Sequence, residues 1–429
     1  MNIFKFGGAS VNSAKAVRNV ASIVKNYGEQ PLVVVVSAMG KTTNMLERLV
    51  PGIPRNDDER MRGFVQVREY HQTIIKDLFP DKKAPVYEKV ATLMQMLEQQ
   101  VHRQPTHYNY DYDQTVSFGE LISTTIVSEF LNASGIDNQW VDVRDVISTD
   151  LNYREGRVEW SLTRSKAEEV LKPILRNHIV VTQGFIAGTY EMLQDGRTQR
   201  HTTTLGREGS DYSAAILSYC LNANNMTIWK DVPGFLNADP KYFRDTVKME
   251  RIPYSEAIEL AYYGASVIHP KTVQPIQNKN IELHIKSFVE PSARGSVIGP
   301  FNTIEPQTPL YIFKNDQVLI SIMPKDFSFI TEDNLQNIFS ALAQLGIRVN
   351  LMQNSALSFS LCIDHNEVLL RQLRETLGDA YRLRYNEGLQ LITIRYYTQQ
   401  IIDSVVGGRP VLLQQRSRMT TQLIVNNLL

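Results

Sequence analysis

The amino-terminal stretch decides the fold class: residues 3–37 read IFKFGGASVNSAKAVRNVASIVKNYGEQPLVVVVS. Ile3–Phe6 is a short apolar run that ends in two glycines, and apolar residues then recur at helical spacing until Gly28 and Pro31. The next run, Leu32–Val36, is continuous and dominated by valine, which is typical of a strand buried on both faces. Strand, helix and strand in succession form a βαβ unit, so the sequence predicts a parallel sheet between layers of helices.

The composition bounds the class of protein. A chain of 429 residues exceeds one ordinary core, so we expect two or three domains. Forty-five basic and 45 acidic residues give zero net charge, which argues against binding nucleic acid or a membrane surface through bulk charge but leaves room for a local basic pocket. Cys220 and Cys362 lie far apart among apolar residues, which indicates buried thiols and not a disulfide framework.

No membrane or secretion signal is visible in the sequence. No apolar run approaches the roughly 18 residues that a membrane helix needs. The amino terminus also lacks a charged segment followed by an apolar one. We therefore expect a soluble, cytoplasmic protein with no membrane partner.

The first 300 residues continue the alternation of strands and helices. Residues 55–110 are polar and charge-mixed and predict a helical excursion from the sheet, with a loop near Pro80–Pro85. Pro291–Pro300 contains two glycines and two prolines and marks a boundary, so residues 1–300 are predicted as one α/β domain. The remaining predicted strands are Gln139–Val143, Ile179–Thr182, Met226–Asp231 and Ile281–Phe288, and further helices are predicted at Asp211–Leu221 and Ser255–Tyr263.

Residues 301–429 have a different pattern. Thr331 is a predicted N-cap before an apolar helical stripe that ends at Leu345, and apolar residues alternate with polar ones over Leu357–Asp364. With strands at Val318–Met323, Arg348–Gln353 and Tyr381–Arg384 and a helix at Glu367–Leu377, the order is β-α-β-β-α-β, a ferredoxin-like module at about 317–385. A shorter set, Leu389–Tyr397, Gln399–Val405, Pro410–Gln415 and Thr420–Val425, predicts a second module at 386–429, whose missing strand residues 309–314 supply.

The segment Lys5–Ser10 places two glycines and a hydroxyl between a strand and the next helix. Glycines let backbone N–H groups close on an anion, the amino end of a helix favours negative charge, and Lys5 can reach the same anion. Alternatively, the glycines serve only a tight strand-to-helix turn, since this is not a G-x-x-x-x-G-K-[ST] phosphate loop.

The segment His201–Asp211 carries the most chemistry. It combines a run of hydroxyls, two glycines, Arg207 and a Ser-Asp pair ahead of an apolar helix. Ser210 or Asp211 could act only as a cap of that helix, but capping does not explain an arginine between glycines. A guanidinium on a permissive loop binds carboxylate or phosphate bidentately, so we expect Arg207 to contact an anionic ligand.

Two further segments are candidates for binding. Lys230–Lys241 follows a predicted strand, at the end where open α/β sheets bind ligands, although an ordinary surface loop is the alternative. Ser117–Glu120 opens a predicted helix, and Glu120 in a first turn is favourable with the helix dipole whether or not it has a function. The histidines lack metal-ligand spacing, so no metal site is predicted.

Seven ordered motifs together resemble those of the aspartate kinases, in the amino-acid kinase superfamily. KFGGASV at Lys5–Val11 is similar to the family's KFGGTSV, and TTLGREGSD at Thr203–Asp211 is similar to TTLGRGGSD. The other five are SAMGKTTN at Ser37–Asn44, SFGE at Ser117–Glu120, GFI at Gly184–Ile186, WKDVPGFLNADP at Trp229–Pro240 and YGASVIHP at Tyr263–Pro270. The resemblance implies a three-layer amino-acid kinase fold with a mainly parallel sheet, followed by two ferredoxin-like ACT regulatory modules.

The resemblance also implies an activity and its residues. ATP, carrying Mg²⁺, would phosphorylate the side-chain carboxylate of L-aspartate to 4-phospho-L-aspartate, the first step towards lysine, threonine and methionine. Lys5 would contact the transferring phosphoryl group, and Asp211 would orient Lys5 or the reacting centre. The implied aspartate site is Ser37, Thr43, Glu120, Phe185, Arg207 and Ser210, and the implied nucleotide contacts are Lys5, Gly7, Gly8, Lys230, Asp231, Leu236, Lys241 and Ser266.

Four positions depart from the family pattern. Lys230 stands where serine or threonine is usual, Leu236 where an adenine-side tyrosine is common, Ser266 in place of a lysine, and Glu208 in place of a glycine. Because serine at position 266 cannot bind phosphate as that lysine would, Lys230, Lys271 and Lys41 are candidates to bind it instead. These departures bear on nucleotide affinity and turnover more than on the identity of the substrate.

Regulation is expected from the carboxyl-terminal region. Asn350 and Gln353 are the predicted effector contacts, with lysine or threonine as the effector. Asn350 and Ala356 occupy positions where the family often has acidic residues, so inhibition by lysine rests on analogy. The strand edges of these modules predict a homodimer or a higher homo-oligomer.

Two alternatives remain open. One is a catalytically impaired kinase fold retained as an amino-acid sensor, motivated by Ser266 and the short second module. The other is a related kinase with a different acceptor, which the region after residue 305 disfavours. We expect a monofunctional enzyme without a homoserine dehydrogenase domain, because no dinucleotide-binding segment follows residue 429.

Overall fold

The computed structural model describes residues 1–53, 57–192, 195–265 and 268–427. The chain divides into two compact units. The first comprises Met1–Phe235, Lys248–Ile258 and Val267–Pro306, and the second comprises Leu236–Val247, Glu259–Ser266 and Gln307–Leu429. None of the helices in the described ranges combines the length and apolar character needed to cross a membrane. The domain limits expected from the sequence stay a prediction.

A large, mainly parallel sheet forms the centre of the first unit. The first twelve strands of the chain are β1 Asn2–Phe6, β2 Leu32–Val36, β3 Asn138–Val141, β4 Ile179–Gln183, β5 Ile186–Met192, β6 Thr198–Thr204, β7 Asn225–Lys230, β8 Phe235–Leu236, β9 Lys248–Met249, β10 Arg251–Pro253, β11 Glu282–Ser287 and β12 Ser296–Gly299. Eight of them form one sheet in the order β10-β12-β11-β7-β1-β2-β4-β3, in which only β11 and β12 pair antiparallel.

Helices cover this sheet on both faces. The first nine are α1 Ala14–Tyr27, α2 Thr42–Glu47, α3 Asp57–Leu78, α4 Pro85–Val101, α5 Tyr108–Ala133, α6 Trp160–Ile174, α7 Gly209–Leu221, α8 Tyr254–Tyr263 and α9 Pro270–Gln277. α7 packs on β1, β2 and β7 and contacts α6 and α9, while α5 packs on β2, β3 and β4 and contacts α1 and α4. All five residues of β2 are buried, as expected for a strand covered on both sides. The predicted three-layer α/β class is confirmed.

A six-stranded antiparallel sheet organises the second unit. Its strands are β13 Leu310–Pro324, β14 Val349–Asn354, β15 Phe359–Asp364, β16 Tyr381–Arg395, β17 Val411–Arg416 and β18 Thr420–Asn426, and its helices are α10 Glu332–Gln344, α11 Glu367–Leu377 and α12 Gln399–Val406. The strand order is β14-β15-β13-β16-β18-β17. Three apolar clusters lie along its described residues: one includes residues of α10 and α11, another includes residues of α12, and the third consists of strand residues only.

The long strands β13 and β16 run through both predicted modules. The segments Tyr381–Arg384 and Leu389–Tyr397 were predicted as separate strands, but residues 381–395 form the single strand β16. The intervening residues are polar and end in Gly388, yet Tyr385 and Asn386 pair with β13. Leu310–Lys314 pairs with Leu391–Arg395, beyond a register shift between Lys314 and Leu319. The two predicted modules therefore share one continuous sheet, and the predicted α+β fold of this region is confirmed.

Two segments that are distant in sequence from this sheet pack within the second unit. The ring of Tyr242 stacks on Phe313 at a centroid distance of 4.6 Å, and Asn315 Nδ2 donates to Tyr242 Oη at 2.6 Å. Arg395 forms an ion pair with Glu259 at 3.1 Å. Leu236–Val247 and Glu259–Ser266 thus belong with the antiparallel sheet by contact, although they precede it by many residues.

Some predictions at the level of elements were wrong. Ser117–Glu120 does not open a helix, because α5 begins nine residues earlier at Tyr108 and places Glu120 in its middle. The boundary predicted at Pro291–Pro300 contains strand β12, which was not expected from four residues flanked by glycines and prolines. Most other predicted elements are confirmed within about two residues, including Glu367–Leu377, which matches α11.

Candidate active site

The carboxyl ends of the central strands meet at one edge of the large sheet. Phe6 at the end of β1 is level with Val36 of β2 and with Trp229 of β7, and Val36 is level with Gln183 of β4. The loops that follow these strands therefore emerge side by side, which is where open α/β sheets bind ligands. Four of the sequence motifs lie in these loops.

A single cavity of about 840 Å³ lies at this edge and collects most of the predicted site. The predicted residues that line it are Lys5, Gly8, Ser37, Thr43, Glu120, Phe185, Arg207, Ser210, Asp211 and Lys230. Gly7 and Asp231 belong to the same unit but are not among the lining residues. Leu236 and Lys241 belong to the second unit, and Ser266 lies outside the described residues.

An ion cluster forms the floor of the cavity. Lys5 Nζ lies 2.5 Å from Asp211 Oδ1, and Lys230 Nζ lies 3.5 Å from Asp211 Oδ2. Lys5 and Asp211 are both buried. Burial alone would raise the pKa of Asp211, but the two ammonium groups outweigh it and hold that pKa below its usual value. Asp211 is therefore a fixed anion that orients two cations, and it does not cap α7, whose N-cap residue is Glu208.

The loops after β1 and β2 are pressed against each other. Residues Gly8–Val11 form a short 3₁₀ turn before α1, so the glycine pair does not lead directly into that helix as expected. Gly40 N donates to Gly8 O at 3.0 Å, and a Cβ on Gly8 would lie only 2.7 Å from Gly40 O and 2.9 Å from Ala38 O. Glycine is required at position 8 by this close approach, and the cavity wall is backbone there.

Glu120 presents a buried carboxylate to the cavity. It lies in the middle of α5, and its Oε1 accepts a 3.3 Å hydrogen bond from Ala38 N. Its Oε2 is buried and has no hydrogen-bond partner in the described part of the chain. Burial raises the pKa of Glu120 to about 8, so the site disfavours its charge until a cation arrives. A cationic hydrogen-bond donor at Oε2 would favour the charged form of this carboxylate.

Strained backbone surrounds the arginine loop. Phe185 and Glu208 have φ values of 70° and 53°, in the left-handed region that non-glycine residues rarely adopt. Phe185 is held by a 2.9 Å hydrogen bond from its N–H to Ser213 Oγ. Burial raises the pKa of Glu208, whose carboxyl group lies near Asp211 and Lys230. Such outliers concentrate at functional sites, where the surrounding structure enforces them.

Sequence reasoning missed part of the cavity wall. Tyr112 and Arg154 line the same cavity as Arg207, and Asp113 lies directly behind them. Tyr112 and Arg154 belong to none of the motifs identified in the sequence, so no local pattern predicts that they line the cavity. Asp111 and Asp113 are buried in α5, and buried carboxylates require specific hydrogen-bond partners. Two aspartates in this stretch are therefore a weak indication in the sequence that distant residues pack there.

The predicted effector residues lie on strand β14. The Asn350 amide donates to Gln317 Oε1 at 2.8 Å and to Asp364 Oδ1 at 2.9 Å, and its oxygen accepts from Lys314 Nζ at 2.9 Å. Gln353 is exposed and pairs through its backbone with Ser360. An effector at Asn350 must therefore replace existing hydrogen bonds. Within the described ranges no group of three or more His, Cys, Asp or Glu side chains is arranged to hold a metal ion.

Comparison with known proteins places the chain in a family. Residues 1–287 match the amino acid kinase family. The chain belongs to the amino acid kinase family. It is 29% identical over 400 residues to lysine-sensitive aspartokinase 3 of Escherichia coli, covering 91% of this chain and 86% of that protein. It is also 29% identical over 425 residues to the chloroplastic bifunctional aspartokinase/homoserine dehydrogenase 2 of Arabidopsis thaliana, of which it spans only 42%.

Solved structures of this family superpose over nearly the whole chain. E. coli aspartokinase III in complex with aspartate and ADP gives a TM-score of 0.81 at 26% identity, covering 99% of this chain and 96% of that one. A Clostridium acetobutylicum aspartate kinase gives a TM-score of 0.75 at 19% identity, which supports the fold alone. The resemblance to aspartate kinases found in the motifs is confirmed by these comparisons.

Proposed function

We propose that this chain transfers the γ-phosphoryl group of ATP to the side-chain carboxylate of L-aspartate, giving ADP and 4-phospho-L-aspartate. The supporting observation is the single cavity in which the Lys5–Asp211–Lys230 cluster faces Glu120 and Arg207. The two ammonium groups suit a phosphate. The buried carboxylate of Glu120 and the guanidinium of Arg207 suit the ammonium and carboxylate groups of an amino acid. The E. coli relative whose structure contains aspartate and ADP supports the same pair of ligands.

The reaction needs charge compensation more than acid–base catalysis. A carboxylate with a pKa of about 4 is already ionised at neutral pH, so the nucleophile needs no general base. Its oxygen forms a bond to the γ-phosphorus while the bond to the ADP oxygen breaks. Both reactants are anions, so Lys5 and Lys230 have to offset their repulsion while the loops hold them in line. Mg²⁺ would enter on the nucleotide phosphates and add further positive charge there.

Each acceptor group has a proposed partner. Glu120 Oε2, buried and unpaired, binds the α-ammonium group, and Arg207 binds the α-carboxylate. Ser37, Thr43, Phe185 and Ser210 shape the space around the acceptor. Gly8 gives a backbone wall on the phosphate side. Gly7 precedes Gly8 and Asp231 follows Lys230 in the sequence. Gly7, Asp231, Leu236, Lys241 and Ser266 stay predicted nucleotide contacts.

The deciding experiment is a steady-state assay of ADP release that depends on aspartate, with the acyl phosphate trapped as its hydroxamate. We expect saturable turnover with L-aspartate and none with L-glutamate at the same concentration. Turnover with another acceptor only would refute the proposed substrate. Tight aspartate binding without any product would instead favour an amino-acid sensor.

Feedback regulation is the second part of the proposal. The E. coli relative is described as lysine-sensitive, and a structure of it contains lysine and aspartate. We propose an amino-acid effector, lysine or threonine, bound near Asn350 and Gln353. Titration of each amino acid into the aspartate assay tests this, and unchanged turnover with both would contradict it. A cytoplasmic location stays a prediction.

A further inference from the structure

We propose that Arg154 is a second carboxylate-binding side chain of the acceptor site, which acts with Arg207 on the α-carboxylate and so helps to select the amino acid. This inference rests on the proposed function, because it concerns the acceptor of that same reaction. Arg154 lines the same cavity as Arg207, Glu120 and Lys5. Four further observations support it.

The first observation is the backbone of Arg154. Its φ of 70° lies in the left-handed region, which a residue with a side chain adopts only when its surroundings impose it. A simple surface turn at this point would favour glycine or asparagine. An arginine held in this conformation at the wall of a cavity suggests that its side chain serves the cavity.

The second observation is the hydrogen bonding that imposes this backbone. Asp113 on α5 is fully buried, and its Oδ2 accepts from Arg154 N at 2.8 Å and from Thr204 N at 3.0 Å. Its Oδ1 accepts from Thr204 Oγ1 at 2.7 Å. Burial raises the pKa of Asp113 to about 6, which still leaves it ionised at neutral pH. One carboxylate therefore ties the loop of Arg154 to the strand that leads into Arg207.

The third observation is the close approach of the loop that carries Arg154 to the loop that carries Arg207. Gly156 N donates to Thr204 O at 2.9 Å. A Cβ built on Gly206, the residue before Arg207, would lie 3.4 Å from both Arg154 O and Glu155 Cγ. The two arginines thus arise from adjacent backbone segments that a single buried group fixes. Asp113 is a positioning residue in this arrangement.

The fourth observation is the environment of the guanidinium group. Its Cζ lies 4.5 Å from the ring centroid of Tyr112 and 5.5 Å from that of Tyr108, which holds the planar group against α5. Glu155 also lines the cavity, but among the described residues no carboxylate forms an ion pair with Arg154. Its N–H donors are therefore available for a ligand carboxylate.

The chemistry of the acceptor accounts for two arginines. In L-aspartate the side-chain carboxylate must point to the phosphoryl group near Lys5, and the α-ammonium group pairs with Glu120. Only the α-carboxylate then remains to be bound on the side of Arg207 and Arg154. Two guanidinium groups on one carboxylate distinguish aspartate from an acceptor such as β-alanine, which has the ammonium and one carboxylate only.

The test replaces the guanidinium group without adding backbone strain. Arg154→Gly keeps the left-handed conformation accessible, Arg154→Lys keeps a charge but not the bidentate geometry, and Arg157→Gly is the matched control, since Arg157 is an exposed arginine of the same loop outside the cavity. We expect Arg154→Gly to raise the KM for aspartate at least ~10-fold, the size of one charged hydrogen bond, with the KM for ATP changed less than about twofold. Arg154→Lys should lie between, and Arg157→Gly should match the unaltered protein.

Inhibition by β-alanine gives a readout that a structural defect would not produce. Its inhibition constant should be the same for the unaltered protein and for Arg154→Gly, because the group that Arg154 binds is missing from it. Equal weakening of aspartate and β-alanine, or a rise in the KM for ATP, would overturn the inference. If the unaltered protein shows no turnover, the proposed function fails, and calorimetric titration of L-aspartate into both proteins still tests Arg154: equal affinities would overturn its role.

Discussion

At the scale of single residues, the site is defined by charges that lack a partner or share one. Asp211 is buried, and its carboxylate contacts the ammonium groups of both Lys5 and Lys230. Glu120 is buried with one oxygen unpaired. A buried carboxyl oxygen without a hydrogen-bond partner is unfavourable, and the ammonium group of a bound amino acid would satisfy it, while Lys5 and Lys230 are placed to offset the charge of a phosphate.

Replacement of Lys5 should separate catalysis from folding. We expect Lys5→Ala to lower kcat by at least ~10²-fold, the usual effect of losing one preorganised donor to developing charge. Lys230 remains beside Asp211, so the fold should persist, as circular dichroism and a thermal melt would show. A kcat of Lys5→Ala within about threefold of the unaltered protein's kcat would show that another group offsets the negative charge of the phosphoryl group during transfer.

The affinity for aspartate should depend on pH through Glu120. Burial raises the pKa of this carboxyl to about 8, and only its ionised form pairs with the α-ammonium group. Below pH 8 binding must first remove a proton, so the KM for aspartate should rise as the pH falls from 8 to 6, approaching tenfold per unit. Calorimetry in buffers of different ionisation enthalpy should detect proton release at pH 7. Glu120→Gln should bind weakly at every pH, and a persistent pH dependence in that variant would point to another group.

At the scale of elements, the loops that follow β1 and β2 limit what the site tolerates. Gly8 faces the backbone oxygens of Gly40 and Ala38 at distances that no Cβ allows, whereas a Cβ on Gly7 would meet only Lys5 Nζ at 3.4 Å. We expect Gly8→Ala to push the two loops apart, to lower kcat/KM for ATP by at least ~10-fold and to lower the free energy of unfolding by about 1–3 kcal/mol. Gly7→Ala is the matched control for stability and should leave the free energy of unfolding nearly unchanged. Equal effects of the two changes would contradict the close approach.

The left-handed backbone of Glu208 at the start of α7 should lower the stability of the protein. Glu208 occupies the left-handed region and its carboxyl group is disfavoured as an anion by burial beside Asp211. Glu208→Gly relieves both effects and should raise the free energy of unfolding by about 1 kcal/mol in a denaturant titration. Glu208→Gln removes only the charge and should stabilise less. A loss of stability in the glycine variant would show that Glu208 contributes attraction to Lys230 that exceeds the strain.

The sequence predicted those elements whose own pattern is complete. The valine run predicts β2 and the apolar stripe that ends at Leu345 predicts α10 without any distant partner, and both elements are found as expected. The start of α5 was missed because Tyr108–Gln114 is polar and aromatic, and its stability in the structure depends on distant partners such as Thr204. Arg154 was missed for the same reason, since its backbone is fixed by Asp113, 41 residues earlier. The motif residues were predicted because each lies in a short run of sequence that is recognisable without its distant partners.

At the scale of the whole molecule, the antiparallel sheet has two unequal edges. β14, with the sequence VNLMQN, has no charged residue, and Met352 on it is 49% exposed. β17 ends at Arg416 and is flanked by Arg409 and Arg418. Basic residues on an edge strand discourage pairing with another chain, and an uncharged edge invites it. The edge at β14 is therefore the one expected to pair between two copies of this chain.

We accordingly predict a homodimer that forms through β14. Sedimentation equilibrium at micromolar concentration should give a mass about twice 48.9 kDa. Met352→Lys places a charge on the exposed side of β14 and should shift the equilibrium towards monomer at least ~10-fold, since like charges from both copies would meet there. Leu412→Lys, a change of the same kind at the exposed β17 edge, is the control and should leave the dimer intact. Dissociation by Leu412→Lys alone would move the interface to the other edge, and a monomer at all concentrations would refute pairing through either.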